Sequence, residues 1–222
     1  MIPARITCDH PDLVVGVVRA DGVAVRESGE ALRGEIDALA RKRREENFPP
    51  PEFRKKIRDL LRRGGFKPTG RNKPASEYIA GRAAAGEFPF HTNVVDICNY
   101  ISLRSGLPIS ILDLDRAVEG GETLEIRFGR KEDSYVFNPA GQVIDLTGLV
   151  CVAREGGMAL GNPVKDSMES KVTGGTERVI AFVYASRQVI DEEALAEHSD
   201  LFARLLREHA GAAQTETALL LP

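Results

Sequence analysis

The chain has 222 residues, of which 42% are hydrophobic and 6% aromatic, and it contains no tryptophan. This length fits one domain of moderate size, with a core built mainly from Leu, Val, Ile and Ala. The formal net charge of −3 excludes a uniformly basic nucleic-acid coat protein. No apolar run is long enough for a membrane span, and the first residues do not resemble a signal peptide.

The cysteines and histidines indicate neither a disulfide framework nor a metal site. Cys8, Cys98 and Cys151 are odd in number and far apart in the sequence, which favours free thiols. The 4 histidines show no ligand spacing with thiols or carboxylates. We therefore expect a cytoplasmic protein that binds no metal and no other cofactor.

The first quarter of the chain predicts a strand followed by helices. The apolar run from Leu13 to Val18 is typical of a buried strand, and a turn at 20–22 leads into a predicted partner strand at 23–25. The apolar spacing then predicts one helix from Glu30 to Glu46 and a second from Glu52 to Arg63.

Charge is segregated along the chain. Residues 41–73 contain thirteen Lys or Arg and four Asp or Glu, a net charge of +9, so the remainder carries −12. These cations are either solvated helix faces or contacts for a phosphate backbone. If they contact a phosphate backbone, the RNA contacts are Arg54, Lys55, Arg58, Arg62, Lys67, Arg71 and Lys73.

The Gly174-Gly175 turn beside Lys171 is either an anion cradle or a plain tight turn.

The stretch 88–115 combines a helix start, a helix, a stop and a strand. Asn93 is predicted to cap the helix, with the carboxylate of Asp96 near its positive end. Gly106 is predicted to end the helix in the left-handed conformation. The fully apolar run at 109–112 then predicts a short buried strand.

Polar residues inside this stretch are candidates for a site. Asn99 lies on the helix and Ser110 lies in the middle of the buried strand. Because a buried polar group needs a hydrogen-bond partner, these residues either tie the helix to a loop or face a ligand pocket. His91 could deprotonate Cys98 to give a thiolate nucleophile. The alternative is a histidine at a helix start and a cysteine in the core.

The second half of the chain predicts antiparallel strands and a final helix. A turn at Gly120-Gly121 precedes four short strands separated by turn residues. An irregular segment at 158–176 and a very apolar strand at 179–185 follow. Asp191 is predicted to cap a helix that ends near Ala210, and the tail beyond it has no clear period.

The segment NVVDICNYISLRSGLPISILDLD, residues 93–115, resembles the signature of the editing domain (B3/B4) of the phenylalanyl-tRNA synthetase β-chain. The likeness continues through 120–138 and 170–187. It implies an α/β (α+β) fold of mixed and antiparallel β-sheets packed with helices. It also implies one domain at 1–190, made of a core at 65–190 and an N-terminal strand and basic helices at 1–64, with a C-terminal helix and tail at 191–222.

The resemblance carries a function and a set of residues. The family's domain hydrolyses the ester between a wrong amino acid, tyrosine, and its tRNA, which needs an oriented water but no covalent nucleophile. Asn99 matches the family's pocket Asn, Cys98 stands in place of a Thr, and Ser110 in place of a His. Phe182 falls near the family's tyrosine-recognising Glu, and residues 166–167 replace a glycine pair. These departures imply a substrate other than tyrosyl-tRNA.

We therefore predict a protein that recognises aminoacyl-tRNA and hydrolyses the ester of a mischarged tRNA in trans, with no ligase activity of its own. The alternatives are a non-catalytic tRNA or small-molecule binding module, or a self-associating domain that forms a homodimer through the C-terminal helix. Asn99 and Ser110 are the catalytic candidates. The predicted substrate-binding residues are His91, Cys98, Asn99, Ser110 and Phe182.

Overall fold

A computed structural model describes residues 3–119 and 123–222, so the predicted turn at Gly120-Gly121 lies outside the described residues. The elements are, in chain order, β1 (Ala4–Ile6), β2 (Leu13–Asp21), α1 (Glu30–Glu46), α2 (Pro51–Arg62), a 3-10 helix (Gly70–Asn72), α3 (Ala75–Ala84), α4 (Asn93–Ser105), β3 (Ile109–Asp113), α5 (Leu114–Ala117), β4 (Leu124–Phe128), β5 (Ser134–Val136), β6 (Val143–Asp145), β7 (Val150–Arg154), β8 (Ala159–Gly161), β9 (Arg178–Ser186), α6 (Glu192–Ala210) and β10 (Gln214–Leu220).

The described strands form three sheets. The first has the order β10-β2-β9-β3 and is antiparallel throughout. The second has the order β1-β4-β7-β8, in which only the β1–β4 pair is parallel. Strands β5 and β6 pair as a separate antiparallel hairpin. The prediction of an α/β fold with mixed and antiparallel sheets packed with helices is confirmed.

The centre of the first sheet is the core of the molecule. Nearly all residues of β2 and β9 are buried, as the continuous apolar runs at 13–18 and 179–185 predict. Helix α6 packs against β2, and helix α2 contacts β9. Each fully buried Val, Leu or Phe side chain contributes about 1.5–3 kcal/mol, so this layer supplies much of the folding free energy.

The start of α4 differs from the prediction. Thr92, not Asn93, occupies the N-cap position, and its side chain makes no capping bond. The amide group of Asn93 instead accepts from Arg26 N at 3.0 Å and donates to Ala24 O at 2.9 Å and His209 O at 3.0 Å. These distant backbone groups would otherwise lack partners, so Asn93 anchors α4 to the segment before α1 and to the end of α6.

The end of α4 agrees with the prediction. Gly106 has φ 77°, the left-handed conformation, and its N–H donates to Ser102 O at 2.8 Å. A Cβ at this position would lie 3.0 Å from the Phe53 ring of α2. Only glycine therefore combines this backbone angle with so close an approach of α2. The chain then enters β3, which is buried along its whole length.

One predicted strand is absent from the structure, and one observed strand was not predicted. Residues 23–25 form no strand, because both edges of β2 are already occupied by β9 and β10. The tail, for which no period was assigned, contains β10, which pairs with β2 antiparallel from Gln214 opposite Asp21 to Leu220 opposite Val15. The partner of β10 lies about 200 residues away in the sequence, so local patterns do not reveal the pairing.

Helix α6 is capped as predicted and is packed into the domain. The carboxylate of Asp191 accepts a bond from Ala194 N at 2.8 Å. Leu195, Phe202 and Leu206 are fully buried, and α6 contacts β2, β10 and α4. The apolar face that would serve a homodimer is thus covered within the chain. A homodimer through this helix stays a prediction.

Candidate functional site

Two residues of the predicted pocket are partners in the first sheet, and a third is buried on α4. Ser110 on β3 lies directly opposite Phe182 on β9. In an antiparallel pair such partners point to the same face of the sheet, and both side chains are completely buried. Cys98 on α4 is 5% exposed. All three substitutions relative to the family's pattern are therefore buried in the interior.

Ser110 is the centre of a polar cluster, here called the Ser110 cluster, formed by Ser110, Asn162, Asp166 and Tyr184. The hydroxyl of Ser110 lies 3.0 Å from Asn162 O and 3.2 Å from the Tyr184 hydroxyl, and it also reaches the Asp166 carboxylate. Because Ser110 has a single proton, it donates to either Asn162 O or Asp166, and Tyr184 is then the donor in its contact with Ser110. The cluster satisfies a serine that would otherwise be buried without a partner.

Asp166 joins this cluster from the loop after β8. Its carboxylate accepts from Ile111 N at 3.1 Å and from Asn162 N at 3.3 Å. Gly161 makes this possible, because a Cβ there would lie 2.7 Å from Asp166 Oδ1 and 3.1 Å from Ser110 Oγ. Any larger residue at 161 would push the loop away from β3.

A second layer holds the loop from outside. Tyr135 of β5 donates its hydroxyl proton to Lys165 O at 2.6 Å and accepts from the Asn162 amide. Asn162 Oδ1 in turn accepts from Val164 N at 2.7 Å and Lys165 N at 2.9 Å. Residues 162–166 are therefore fixed by side chains on two sides, although they form no regular structure.

The electrostatics of Asp166 differ from those of a surface aspartate. Burial raises the pKa of this carboxyl to about 6. Hydrogen bonds from Ser110, Ile111 N and Asn162 N act in the opposite direction, as does the charge on Lys171, but they do not cancel the effect of burial. The group is therefore a carboxylate at neutral pH, yet it is protonated more readily than usual. A base of this strength is suited to proton transfer near neutrality.

Cys98 is a thiol in this environment. Burial, and then the negative charge of Asp166, raise the pKa of Cys98 far above its usual value. His91 is exposed, and its backbone N–H donates to Asp96 Oδ1 at 2.7 Å. These features favour the core-cysteine interpretation over a thiolate nucleophile activated by His91.

Asn99 follows Cys98 on α4 and is half-buried. Its side chain makes no hydrogen bond with any residue in the described ranges 3–119 and 123–222, so the predicted tie to a neighbouring loop is not present there. A half-buried amide with free donors and acceptors can bind a polar ligand. The assignment of Asn99 to a substrate pocket stays a prediction.

The comparison with protein families accounts for this arrangement. Residues 66–216 match the family model described as B3/4 domain, and this range includes α4, β3, β9 and the whole Ser110 cluster. The chain belongs to the B3/4 domain family. The match also covers α6 and part of β10, beyond the range over which the sequence signature is visible.

A search of characterised proteins finds a distant similarity to one ligase subunit. The phenylalanine–tRNA ligase β subunit of Gloeobacter violaceus is 30% identical to this B3/4 domain protein over 141 residues. The aligned region is 63% of the present chain but only 17% of the ligase subunit. The chain therefore corresponds to a small part of that relative.

The basic helix α2 precedes the B3/4 match, and two of its predicted RNA contacts are engaged in ion pairs. Arg58 forms a two-bond pair with Glu77 of α3, one bond being 2.6 Å from Nε to Oε1. Arg62 pairs with Asp59 at 2.6 Å on the surface. Arg58 thus fastens α2 to α3, which leaves it less available to a phosphate.

The other predicted RNA contacts are less constrained. Within the described residues they form no ion pair with a carboxylate, and all are exposed except one that is half-buried. They lie on α2, on the loop that follows it and around the 3-10 helix. These side chains are Arg54, Lys55, Lys67, Arg71 and Lys73. Their contact with RNA stays a prediction.

Several members of the site were missed in the sequence. Tyr184 is completely buried within the apolar strand β9, and a hydroxyl in such a run is a signal for a buried hydrogen bond. Asn162 and Tyr135 lie in segments with no local pattern that points to β3. Their proximity depends on the packing of the β5–β6 hairpin over the 162–166 loop.

Other binding features are limited in the described parts of the chain. They contain no group of three or more His, Cys, Asp or Glu side chains that could hold a metal ion. Cys8, Cys98 and Cys151 are all free thiols. Among the helices of residues 3–119 and 123–222, none has the length and apolar character needed to cross a membrane.

Proposed function

We propose that this B3/4 domain protein recognises aminoacyl-tRNA and hydrolyses the ester of a mischarged tRNA in trans. The observation that carries the proposal is the family match over residues 66–216, because the B3/4 domain is linked to tRNA binding and editing in the phenylalanyl-tRNA synthetase β subunit. The substrate is expected to differ from tyrosyl-tRNA, since Phe182 is an apolar core residue and provides no partner for a phenolic hydroxyl.

The Ser110 cluster supports a hydrolytic role. An aminoacyl ester is already activated, so the protein needs only to bind the substrate and orient a water molecule. Asp166 is a half-buried base whose charge is felt by Cys98 on α4. The neighbouring Asn99 provides an amide that makes no bond to the described residues. In the proposal Asn99 binds the amino-acid end of the substrate and Asp166 accepts a proton from the attacking water.

A specific observation favours a second function, a non-catalytic module that binds tRNA or a small molecule. Ser110 and Phe182 are completely buried, and Ser110 already has partners inside the protein. Two positions of the family's pocket are therefore filled by core packing. If the remaining space excludes an amino acid, only binding by the outer surface is left.

The test is the loss of ester from a panel of correctly charged and mischarged tRNAs, each measured with and without the protein. Selective hydrolysis of one mischarged species is the expected result and identifies the substrate. The absence of hydrolysis for every species, with salt-dependent tRNA binding retained, would establish the binding module instead. If neither is found, both proposals fail.

Asn99→Ala tests the predicted pocket. Because Asn99 makes no hydrogen bond with the described residues, we expect the melting temperature to be unchanged and the hydrolysis rate to fall about tenfold or more. Asn138→Ala is the matched control, since Asn138 is also half-buried but lies after β5 and bonds to Gln142. If Asn99→Ala keeps full activity, Asn99 has no part in the site.

A further inference from the structure

Two lysine side chains converge on Phe137, just after β5. Lys165 places its ammonium 4.3 Å from the centre of the Phe137 ring, a cation–π contact. Lys171 donates to the carbonyl oxygen of Phe137 at 3.1 Å. Both lysines are half-buried, and the charge on Lys171 lowers the pKa of Asp166, so Lys171 lies near the Ser110 cluster.

Arg71 is brought to the same place by the N-terminus of α3. Ala75 N donates to Pro163 O at 2.8 Å, which ties this end of α3 to the loop that carries Lys165. Arg71 lies on the 3-10 helix just before α3 and is exposed. Burial and the nearby positive charge of Arg71 lower the pKa of Lys165. Arg71, Lys165 and Lys171 are here called the Phe137 cation cluster.

The three cations of the cluster form no close ion pair with the described residues, although the charge on Lys171 acts at longer range on the Asp166 carboxylate. Within residues 3–119 and 123–222, no carboxylate lies within 4.0 Å of any of its three cations. By contrast, Arg58, Arg62 and Arg82 each have an acidic partner. The like charges of Arg71 and Lys165 repel one another, since the charge on Arg71 favours the neutral form of Lys165. A bound anion would remove this repulsion and gain charge-assisted hydrogen bonds.

We propose that the Phe137 cation cluster binds a backbone phosphate of RNA at the entrance to the Ser110 cluster. The inference rests on the proposed function in taking this RNA to be tRNA. The charge on Lys171 acts on Asp166, so a phosphate held by the cluster lies close to the predicted hydrolytic group. The last phosphate of the acceptor end is the one nearest the aminoacyl ester in the covalent structure. The cluster would therefore set the position of the ester relative to Asp166.

The experiment measures tRNA affinity against KCl concentration for the full chain. The test variant is Arg71→Gln with Lys165→Gln. The matched control is Arg82→Gln with Arg187→Gln, which removes the same charge from two exposed residues that already have ion-pair partners. For loss of one phosphate contact, we expect about tenfold weaker binding in the test variant and a salt slope reduced by about 0.7–0.9. The control should match the wild type.

Further arms separate the alternatives. Lys165→Arg keeps the positive charge and should retain the tRNA affinity. That result would show that the test variant loses affinity through its lost charge and not through a local change in folding. If inorganic phosphate at constant ionic strength binds the wild type while the test variant keeps its tRNA affinity, the cluster is a site for free phosphate and the proposal is overturned. Equal affinity and slope for test and control variants would also overturn it.

This outcome is independent of the proposed deacylase activity. If no ester is hydrolysed but the test variant loses its salt-dependent affinity, the phosphate site stands and the deacylase proposal falls. If one ester is hydrolysed and the salt response of the test variant is unchanged, the phosphate site falls and the deacylase proposal stands.

Discussion

Asp166→Asn should change how stability depends on pH. The folded-state pKa of Asp166 is about 6, raised chiefly by burial from the ordinary value of 3.8. A carboxyl with a raised pKa holds its proton more tightly in the folded state than in the unfolded state. The group therefore costs no stability at low pH, where it is neutral in both states. The free energy of unfolding falls as pH rises from about 4 to above about 6.

The size of the effect follows from the shift. A difference of about 2 pKa units corresponds to ~3 kcal/mol between the fully protonated and fully ionised limits. The asparagine side chain keeps an oxygen that can accept from Ile111 N and carries no charge. The variant should therefore become more stable relative to the wild type as the pH rises. The difference between their free energies of unfolding should grow by ~3 kcal/mol from about pH 4 to about pH 8.

The assay is urea denaturation followed by far-ultraviolet circular dichroism at a series of pH values, with the slopes m compared first. Asp145→Asn is the control. Asp145 is exposed, and hydrogen bonds from Thr147 N and its hydroxyl lower the pKa of Asp145. Because this carboxyl is ionised in both states above about pH 5, the difference for this variant should be negative and nearly constant from there to about pH 8. A flat difference for Asp166→Asn across the range would refute the buried-carboxylate argument and remove the base from the proposed mechanism.

Two further predictions concern the ion pair and the thiols. The side chains of the Arg58–Glu77 pair are 30% and 9% exposed. A double-mutant cycle of Arg58→Met and Glu77→Gln, measured by urea denaturation, should therefore give a coupling energy of about 1–2 kcal/mol. Additive effects of the two substitutions would show that Arg58 is not held by Glu77. Burial raises the pKa of Cys8 to about 11 and of Cys151 to about 12, and Cys98 is raised further. Iodoacetamide at about pH 8 should therefore label none of the three before urea unfolds the chain, and rapid labelling of native Cys98 would restore the thiolate hypothesis.

Regular elements were predictable where the local pattern is strong. The helix Glu30–Glu46 is found with the predicted bounds, and β2 and β9 follow from continuous apolar runs. Gly106 and Asp191 act as the predicted stop and cap, because cap geometry depends on a few neighbouring residues. The family signature lies within one helix–strand unit, so the order of residues in the chain preserves it.

The tertiary structure decided which polar groups are partners. Asn93 looks like a cap in the sequence, yet its amide bonds to Ala24 and His209, two segments that meet only after folding. Arg58 looks like a solvated cation, yet Glu77 holds it with two bonds. A side chain shows its type in the sequence, but its partner is set by packing.

The chain's apolar periodicity, glycines and caps thus specify the helices, the central strands and the family, because these depend on interactions between residues close in sequence. Other features depend on residues far apart in the chain. These are the pairing of β10 with β2 and the contacts that join Ser110, Asp166 and Tyr184. Such contacts form only when the sheets and helices bury their apolar faces together, since that burial offsets the entropy cost of closing long loops. The environment that gives Asp166 its near-neutral pKa therefore exists only in the folded domain.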